Sequence, residues 1–245
     1  MVETVSLPWD TLSLVLLPGL DGSGQLFRWF QAALPTDLKV SVIDFPPDAC
    51  TYAAIEAHVL SVLPLDVPFV LLGESFSGPL ALRIAARNPR NLVSVVLVAT
   101  FLTLPVAWIP RWVRALVKPF MFGLPGRATV LNWFLLGRTP SAELVAAAIA
   151  CVEAVDRRIL AGRAKAALAV DATGALAECR VPILFLHGSQ DRLIAPPAEK
   201  QIRILQPAAE IAILDAPHFL LQCAPHGASQ AVTRFLARVW MSKID

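Results

Sequence analysis

Three polar side chains in this sequence are of the types needed for nucleophilic catalysis. Ser75 lies in Gly-Glu-Ser-Phe-Ser, between an apolar run and a segment with helical spacing. A serine hydroxyl is a weak nucleophile until a base removes its proton. Asp191 lies in HGSQDRLI and His218 in LDAPHFLL, each just after another apolar run. A histidine can take that proton while a carboxylate orients the imidazole, so the order Ser, Asp, His predicts a catalytic triad.

Other residues of the same types fit this chemistry less well. His187 ends a predicted strand before a glycine, and we expect it to be a hydrogen-bonded structural residue. His58 falls within a predicted helix and His226 at the start of one. Asp215 lies three residues before His218, which fits a turn or a strand end better than the acid of a triad. An ordinary loop serine, a turn-forming aspartate and a structural histidine remain the simpler alternative.

A glycine-rich stretch follows the first strongly apolar run. Residues 17–24 read LPGLDGSG, and their glycines let the backbone approach a substrate closely. We expect the amides of Leu20 and Phe76 to hold the negative oxygen of a tetrahedral intermediate, as an oxyanion hole. A phosphate-binding loop is disfavoured because neither Gly-x-Gly-x-x-Gly nor Gly-Lys-Ser/Thr follows. The alternative is a glycine-rich turn with no catalytic role.

Short apolar runs alternate with helical segments and supply the elements that would position these residues. The runs are continuous rather than alternating, which is typical of strands covered on both faces, as in a parallel sheet. The pattern predicts strands near 12–17, 39–45, 69–73, 93–99, 182–187 and 210–214, and helices at 25–34, 52–62, 76–88, 196–205 and 225–240. The predicted fold is therefore α/β, with a doubly wound, mostly parallel sheet whose carboxyl edge carries the functional site.

Residues 101–170 interrupt this alternation. Strand-like runs are missing there, and 141–169 becomes alanine-rich and helical. We expect a helical insertion over the carboxyl edge of the sheet, with a core formed by 1–100 and 171–245. The insertion has nine basic and three acidic side chains. Its aromatic candidates for substrate contact are Trp108, Trp112, Phe120, Phe122 and Trp133.

The motifs LPGLDGSG, GESFSG, HGSQD and APHF together resemble those of the α/β-hydrolase family, over nearly the whole chain. The resemblance implies a serine hydrolase with an inserted helical lid and with no metal or other cofactor. Two departures are Pro18-Gly19, where many members have His-Gly, and Ser77, where glycine is usual. A serine nucleophile argues against members that use aspartate, such as haloalkane dehalogenases and epoxide hydrolases.

The apolar insertion suggests an ester with a lipophilic acyl group as the substrate. In size, motif order and charge layout the chain is similar to pimeloyl–acyl carrier protein methyl esterases, which act in biotin synthesis. That similarity implies an acidic carrier protein as partner, met by Arg111, Arg114, Arg157 and Arg158. An anionic lipid surface is the alternative partner. A thioesterase, a lipase-like enzyme, an acyltransferase, a carbon–carbon bond hydrolase and a non-catalytic ligand-binding protein remain open as functions.

Composition bounds the remaining possibilities. A chain of 245 residues with 56% hydrophobic residues has ample material for one large core. The uncharged stretch 91–110 is long enough to span a bilayer, but its β-branched residues and two prolines favour a buried strand and loop. The start MVETVSLPWD does not resemble a signal peptide, and the four cysteines have no zinc-binding spacing. We therefore expect a cytoplasmic enzyme without a nucleic-acid partner.

Overall fold

One parallel sheet organises the molecule. The computed structural model describes residues 9–104, 115–124, 126, 129, 132–138, 140–194 and 197–242. Within them, six strands form a sheet in the order β2-β1-β3-β4-β5-β6, and every adjacent pair is parallel. The strands are β1 Ser13–Leu17, β2 Lys39–Val42, β3 Phe69–Glu74, β4 Leu92–Val98, β5 Ile183–Gly188 and β6 Glu210–Leu214. The predicted doubly wound α/β fold is confirmed.

Helices connect the strands and cover the sheet. They are α1 Arg28–Ala33, α2 Tyr52–Val62, α3 Ser77–Ala86, α4 Ala142–Glu153, α5 Arg157–Ala167, α6 Thr173–Glu178, α7 Pro197–Leu205, α8 Leu220–Cys223 and α9 Pro225–Met241. Short helical turns span Trp9–Thr11, Gly24–Phe27, Pro119–Gly123 and Asn132–Leu136. Parallel strands need such crossover connections, which is why the helices alternate with the strands.

The two faces of the sheet bury two separate apolar clusters. Val15 and Leu17 of β1 point to the face covered by α2 and α3, whereas Leu14 and Leu16 point to the face covered by α1 and α9. All residues of β1, β3 and β4 are buried. This double coverage explains why the strands read as continuous apolar runs instead of alternating ones.

Several predicted boundaries shift in the structure. Strand β2 ends at Val42 rather than at 45, because Asp44 and Phe45 bond to the glycine-rich loop instead: Gly24 N–H donates to Asp44 Oδ1, and Phe45 N–H donates to Gly22 O. The predicted helix 25–34 is a 3₁₀ turn followed by α1. The short helices α6 and α8 were not predicted, since six and four residues carry too little periodicity.

The stretch considered as a membrane span begins as a strand. Leu92–Val98 is β4, which is buried in the centre of the sheet. The rest of that stretch reaches residue 110, and 105–110 lie outside the described residues. Of the helices that the structure describes, none combines the length and the apolar character needed to cross a bilayer.

The segment between β4 and β5 contains the predicted insertion. Its described parts include α4, α5 and the turns Pro119–Gly123 and Asn132–Leu136, and α5 packs on the first of these turns. A small apolar cluster of its own joins Leu136, Leu144 and Ala148. We call 101–170 the inserted segment, and a lid function for it stays a prediction.

Candidate active site

Ser75 lies on a strained turn between β3 and α3. Its backbone φ is +51°, in the left-handed region that residues other than glycine rarely adopt. The turn is held on both sides, because Ser75 N–H donates to Val98 O at 2.8 Å and Thr100 Oγ1 donates to Ser75 O. A strained turn of this kind between a strand and a helix exposes the serine oxygen at the carboxyl edge of the sheet.

Close packing explains the small residues around this turn. A Cβ atom on Gly73 would lie 2.5 Å from the Ser77 carbonyl oxygen, and one on Gly78 would lie 2.0 Å from Thr100 Oγ1. Ser77, which replaces the usual glycine, is fully buried and donates its hydroxyl to Pro18 O. The serine therefore ties the turn to the glycine-rich loop.

The structure brings Ser75, His218 and Asp191 together. His218 Nε2 lies 2.9 Å from Ser75 Oγ, and His218 Nδ1 lies 2.8 Å from Asp191 Oδ2. His218 is buried, so its ring is fixed between these two partners. The other oxygen of Asp191 accepts the amides of Leu193 and Ile194 at 2.8 and 2.9 Å. The geometry is that of a hydroxyl, a base and an orienting carboxylate.

The local charges support an ionised Asp191. Burial alone would raise the pKa of this carboxyl, but the attraction to His218 and the hydrogen bonds from His218, Ile194 and Leu193 outweigh it. The net effect lowers the pKa of Asp191 below its ordinary value. An ionised carboxylate at this position holds the Nδ1 proton of the imidazole and leaves Nε2 free to accept a proton from Ser75.

The two predicted oxyanion amides flank Ser75. Phe76 precedes α3, so its N–H lies at the positive end of the helix dipole. Its ring stacks on Tyr52 with centroids 4.6 Å apart, and the Tyr52 hydroxyl donates to Phe76 O at 2.9 Å. Leu20 lies in the glycine-rich loop at the same edge of the sheet. Among the described residues, neither amide donates a hydrogen bond to another protein group.

Ser75 and His218 open onto an apolar cavity of about 180 Å³. Its walls come from the glycine-rich loop, from the turn Gly24–Phe27 and from the inserted segment. The inserted segment contributes Phe122, Leu135, Ala148, Cys151, Val152 and Leu160. The cavity therefore lies between the sheet edge and the inserted helices.

Of the three predicted aromatic residues that the structure describes, one lines this cavity. Phe122 lines it, whereas Phe120 is 63% exposed and Trp133 is 57% exposed. Trp133 instead carries the Arg192 guanidinium 4.1 Å above its ring. Sequence alone gave no way to distinguish inward from outward aromatics on irregular turns. Trp108, Trp112, Arg111 and Arg114 lie outside the described residues, and Arg157 and Arg158 are exposed at the start of α5.

Two buried ionisable residues were missed by the sequence analysis. Glu74 lines the cavity beside Ser75, and Gln222 Nε2 donates to its carboxylate at 3.0 Å. Burial raises the pKa of Glu74 to about 7 despite that hydrogen bond. Arg163 in α5 is 1% exposed. Its signal was present, since Leu160, Arg163 and Ala167 share the helical spacing of a buried face.

Two of the competing residues are now placed. Asp215 accepts hydrogen bonds from Ser189 and Gln190, which fits the predicted turn role. The prediction of a hydrogen-bonded His187 was wrong for one ring nitrogen: its buried Nδ1 has no partner in the described structure. The ring stacks on Phe185 instead, with centroids 5.8 Å apart. The part of the chain described here contains no group of three or more His, Cys, Asp or Glu side chains placed to hold a metal ion.

The sequence profile of the family described as serine aminopeptidase, S33, matches residues 52–240. The chain belongs to this family of α/β hydrolases. Three comparisons show how this S33-family hydrolase relates to other proteins. It is 27% identical over 218 residues to pimeloyl-[acyl-carrier protein] methyl ester esterase from Neisseria meningitidis, covering 79% of this chain and 81% of that protein. It is 30% identical to part of the polyketide synthase ThaQ from Burkholderia thailandensis, covering 91% of this chain but 12% of the synthase.

Among solved structures, this S33-family hydrolase resembles an esterase from Exiguobacterium antarcticum. The TM-score is 0.81 at 14% sequence identity, with 92% of each chain covered. This likeness concerns the fold alone.

Proposed function

We propose that this hydrolase is a serine carboxylesterase that cleaves esters with a lipophilic acyl group. The observation that carries the proposal is the hydrogen-bonded chain from Ser75 through His218 to Asp191 at the wall of an apolar cavity. The esterase among its relatives and the family to which the chain belongs support the same chemistry.

In the proposed mechanism, Ser75 Oγ attacks the carbonyl carbon of the ester while His218 Nε2 takes the hydroxyl proton. Asp191 stabilises the resulting imidazolium through Nδ1. The amides of Leu20 and Phe76 bind the negative oxygen of the tetrahedral intermediate. When the intermediate collapses, the C–O bond to the alcohol breaks and His218 returns its proton to the leaving oxygen. Water then repeats the sequence on the acyl-enzyme, which releases the carboxylic acid and frees Ser75.

Covalent labelling tests the nucleophile directly. A fluorophosphonate probe should label the wild-type protein, and Ser75→Ala should abolish both labelling and hydrolysis of short p-nitrophenyl esters. Ser61→Ala is a matched control, because Ser61 is an exposed serine of α2 whose hydroxyl bonds only locally to His58 O. If the wild type is not labelled, or if Ser75→Ala is labelled as well, the proposal is wrong and a non-catalytic binding protein becomes the better interpretation.

We further propose that the natural ester is attached to an acidic acyl carrier protein, as in the pimeloyl relatives. The inserted segment carries net positive charge, with nine basic and three acidic side chains in 101–170. Arg157 lies at a surface groove that shares Phe122 and Val152 with the cavity. A carrier docked on this face would present its acyl arm toward the cavity, and positive charge would speed its approach.

Charge reversal at the inserted segment tests this partner. In the double variant Arg157→Glu, Arg158→Glu, we expect KM for a carrier-linked methyl ester to rise about tenfold, with unchanged kinetics on a small free ester. Arg90→Glu, Arg180→Glu is the matched control, since these exposed arginines precede β4 and β5 at the opposite edge of the sheet. Equal effects of both double variants would rule out docking at this face.

The same experiment distinguishes the competing substrates. A thioester and a methyl ester on the same carrier separate a thioesterase from an esterase, and an added acceptor alcohol reveals acyl transfer. Anionic vesicles that stimulate turnover in place of the carrier would favour a lipase-like enzyme.

We place the proposed activity in the cytoplasm, because all four cysteines are free thiols, which is typical of a reducing compartment.

A further inference from the structure

We infer that Arg163 is a positioning residue for the oxyanion hole, and that the inserted segment thereby sets the geometry of the reacting centre. This inference rests on the proposed function. Arg163 belongs to α5 of the inserted segment, yet its side chain is buried and only 1% exposed. A buried guanidinium is costly unless its donors are satisfied. The partners that satisfy it therefore indicate what it holds in place.

Within the described part of the chain, this guanidinium donates its hydrogen bonds to backbone carbonyl oxygens of two loops. Nη1 donates to Leu20 O at 3.2 Å and to Asp21 O at 2.6 Å. Nε donates to Ala49 O at 2.9 Å, and Nη2 donates to Pro46 O at 3.2 Å. The first loop follows β1 and the second follows β2, which are neighbours in the sheet. Arginine suits this task because its donors are arranged in a planar, rigid fork.

Two hydrogen bonds fix the direction of the Leu20 amide, and Arg163 donates one of them. The peptide group before Leu20 is held because Gly22 N–H donates to Gly19 O at 3.1 Å. The peptide group after Leu20 is held because Arg163 donates to Leu20 O. With both flanking peptide planes fixed, the Leu20 N–H keeps one orientation. An oxyanion donor is effective only when its N–H already points to the position that the developing negative charge will occupy.

The same arginine also contacts the surroundings of the second amide. Its guanidinium carbon lies 5.4 Å from the centroid of the Phe45 ring, within cation–π range. Phe45 meets Phe76 edge to face, with centroids 6.1 Å apart. A Cβ atom on Gly22 would lie 2.4 Å from Arg163 Nη1 and 2.8 Å from the Phe45 ring. Because φ at Gly22 is +75°, glycine is required there twice over, by backbone conformation and by the close approach of the guanidinium.

The test compares turnover with substrate binding in Arg163→Lys and Arg163→Met. A lysine ammonium keeps the charge but cannot bridge carbonyls of both loops. We expect kcat on a short ester to fall about 10- to 100-fold while KM changes less than about threefold. Affinity for an alkyl trifluoromethyl ketone, which forms a tetrahedral adduct with serine, should fall by the same factor as kcat/KM. Gly22→Ala places a methyl group against the Arg163 guanidinium and the Phe45 ring, which separates the loop from the arginine, and should give the same signature.

A stability-matched control separates positioning from a general structural role. Val232→Ala removes buried apolar volume in α9, on the other face of the sheet, and should lower the melting temperature with kcat unchanged. The two variants are compared at conditions where the same fraction of each is folded. If Arg163→Lys is less stable than the wild type but has the same kcat as Val232→Ala, the inference is overturned. An Arg163→Lys protein that cannot fold overturns it too, since the residue would then serve the fold. Failure of the proposed function is distinct, because the wild type itself would then show no Ser75-dependent turnover.

Discussion

At residue 75 the backbone has a conformation that serine adopts only under constraint. With φ at +51°, a side chain there costs about 1–2 kcal/mol relative to the right-handed region. Glycine avoids this penalty but loses up to about 1 kcal/mol of backbone entropy. We therefore predict that Ser75→Gly is more stable than Ser75→Ala by several tenths of a kcal/mol or more, although both are inactive.

Urea unfolding of the two variants measures this difference. Ser229 offers a control with ordinary helical backbone, since it lies within α9 and donates its hydroxyl to Ala33 O. At that position glycine should be about 1 kcal/mol less stable than alanine. If the alanine variant is more stable than the glycine variant at both positions, the backbone at Ser75 is not strained.

Glu74 should make stability depend on pH. Its folded pKa of about 7 exceeds the ordinary value of 4.5, so the folded state keeps a proton that the unfolded state releases between these values. The contribution of Glu74 to folding stability should thus be highest below pH 4.5. It should decrease as the pH rises toward 7, by at most about 1.4 kcal/mol per pH unit. The side chain of Glu74→Gln cannot titrate, so the stability of this variant relative to the wild type should increase as the pH rises from 5 to 8. If the free energies of unfolding of the two proteins change in parallel across this pH range, the pKa of Glu74 is not raised.

At the scale of elements, the contact between α3 and the loop that follows β4 depends on Gly78. A Cβ atom there would lie 2.0 Å from Thr100 Oγ1 and 2.4 Å from Thr100 Cγ2, and this threonine also donates to Ser75 O. We predict that Gly78→Ala destabilises the protein by about 1–3 kcal/mol and also reduces ester turnover, because the nucleophile turn must shift.

Gly174→Ala is the comparison for that variant. Gly174 lies in α6, where an added Cβ meets nothing within 4 Å, so this change should be neutral or slightly stabilising. Melting temperature and turnover measured on both variants give the answer. A fully active, fully stable Gly78→Ala protein would show that α3 can move without disturbing Ser75.

At the scale of the whole molecule, the space between the sheet edge and the inserted segment limits the acyl group. A cavity of about 180 Å³ is comparable to one of about 150 Å³ that holds benzene, so we expect turnover of p-nitrophenyl esters to peak near six acyl carbons. Leu160 lines the cavity from α5 and is 1% exposed. Leu160→Ala should shift the optimum to longer chains.

The control for this shift is Leu236→Ala. Leu236 is buried in α9 among the apolar residues of the other face. Both Leu→Ala changes should therefore lower the free energy of unfolding by about 2–5 kcal/mol, but Leu236→Ala should leave the peak of the chain-length profile where it is. If both variants keep the wild-type profile, the cavity does not hold the acyl group.

The sequence predicted the framework well because its signals are local. Strands β1, β3 and β4 are buried on both faces, so their runs are apolar without interruption. The proximity of Ser75, Asp191 and His218 follows from topology, because parallel strands end at one edge of the sheet. Arg163 shares the spacing of a buried helical face with Leu160 and Ala167, but a charged side chain is normally assigned to the surface. Its partners are carbonyls more than 100 residues away in the chain, and no local pattern indicates them.

The anchoring of the glycine-rich loop by Arg163 has a consequence for engineering. Hybrid enzymes are often made by exchanging such insertions between homologues to alter substrate range. Here the guanidinium and the four carbonyls it holds belong to different parts of the chain, so they would be separated at the graft junctions. A useful chimera would transplant 101–170 together with the loops after β1 and β2, as one unit.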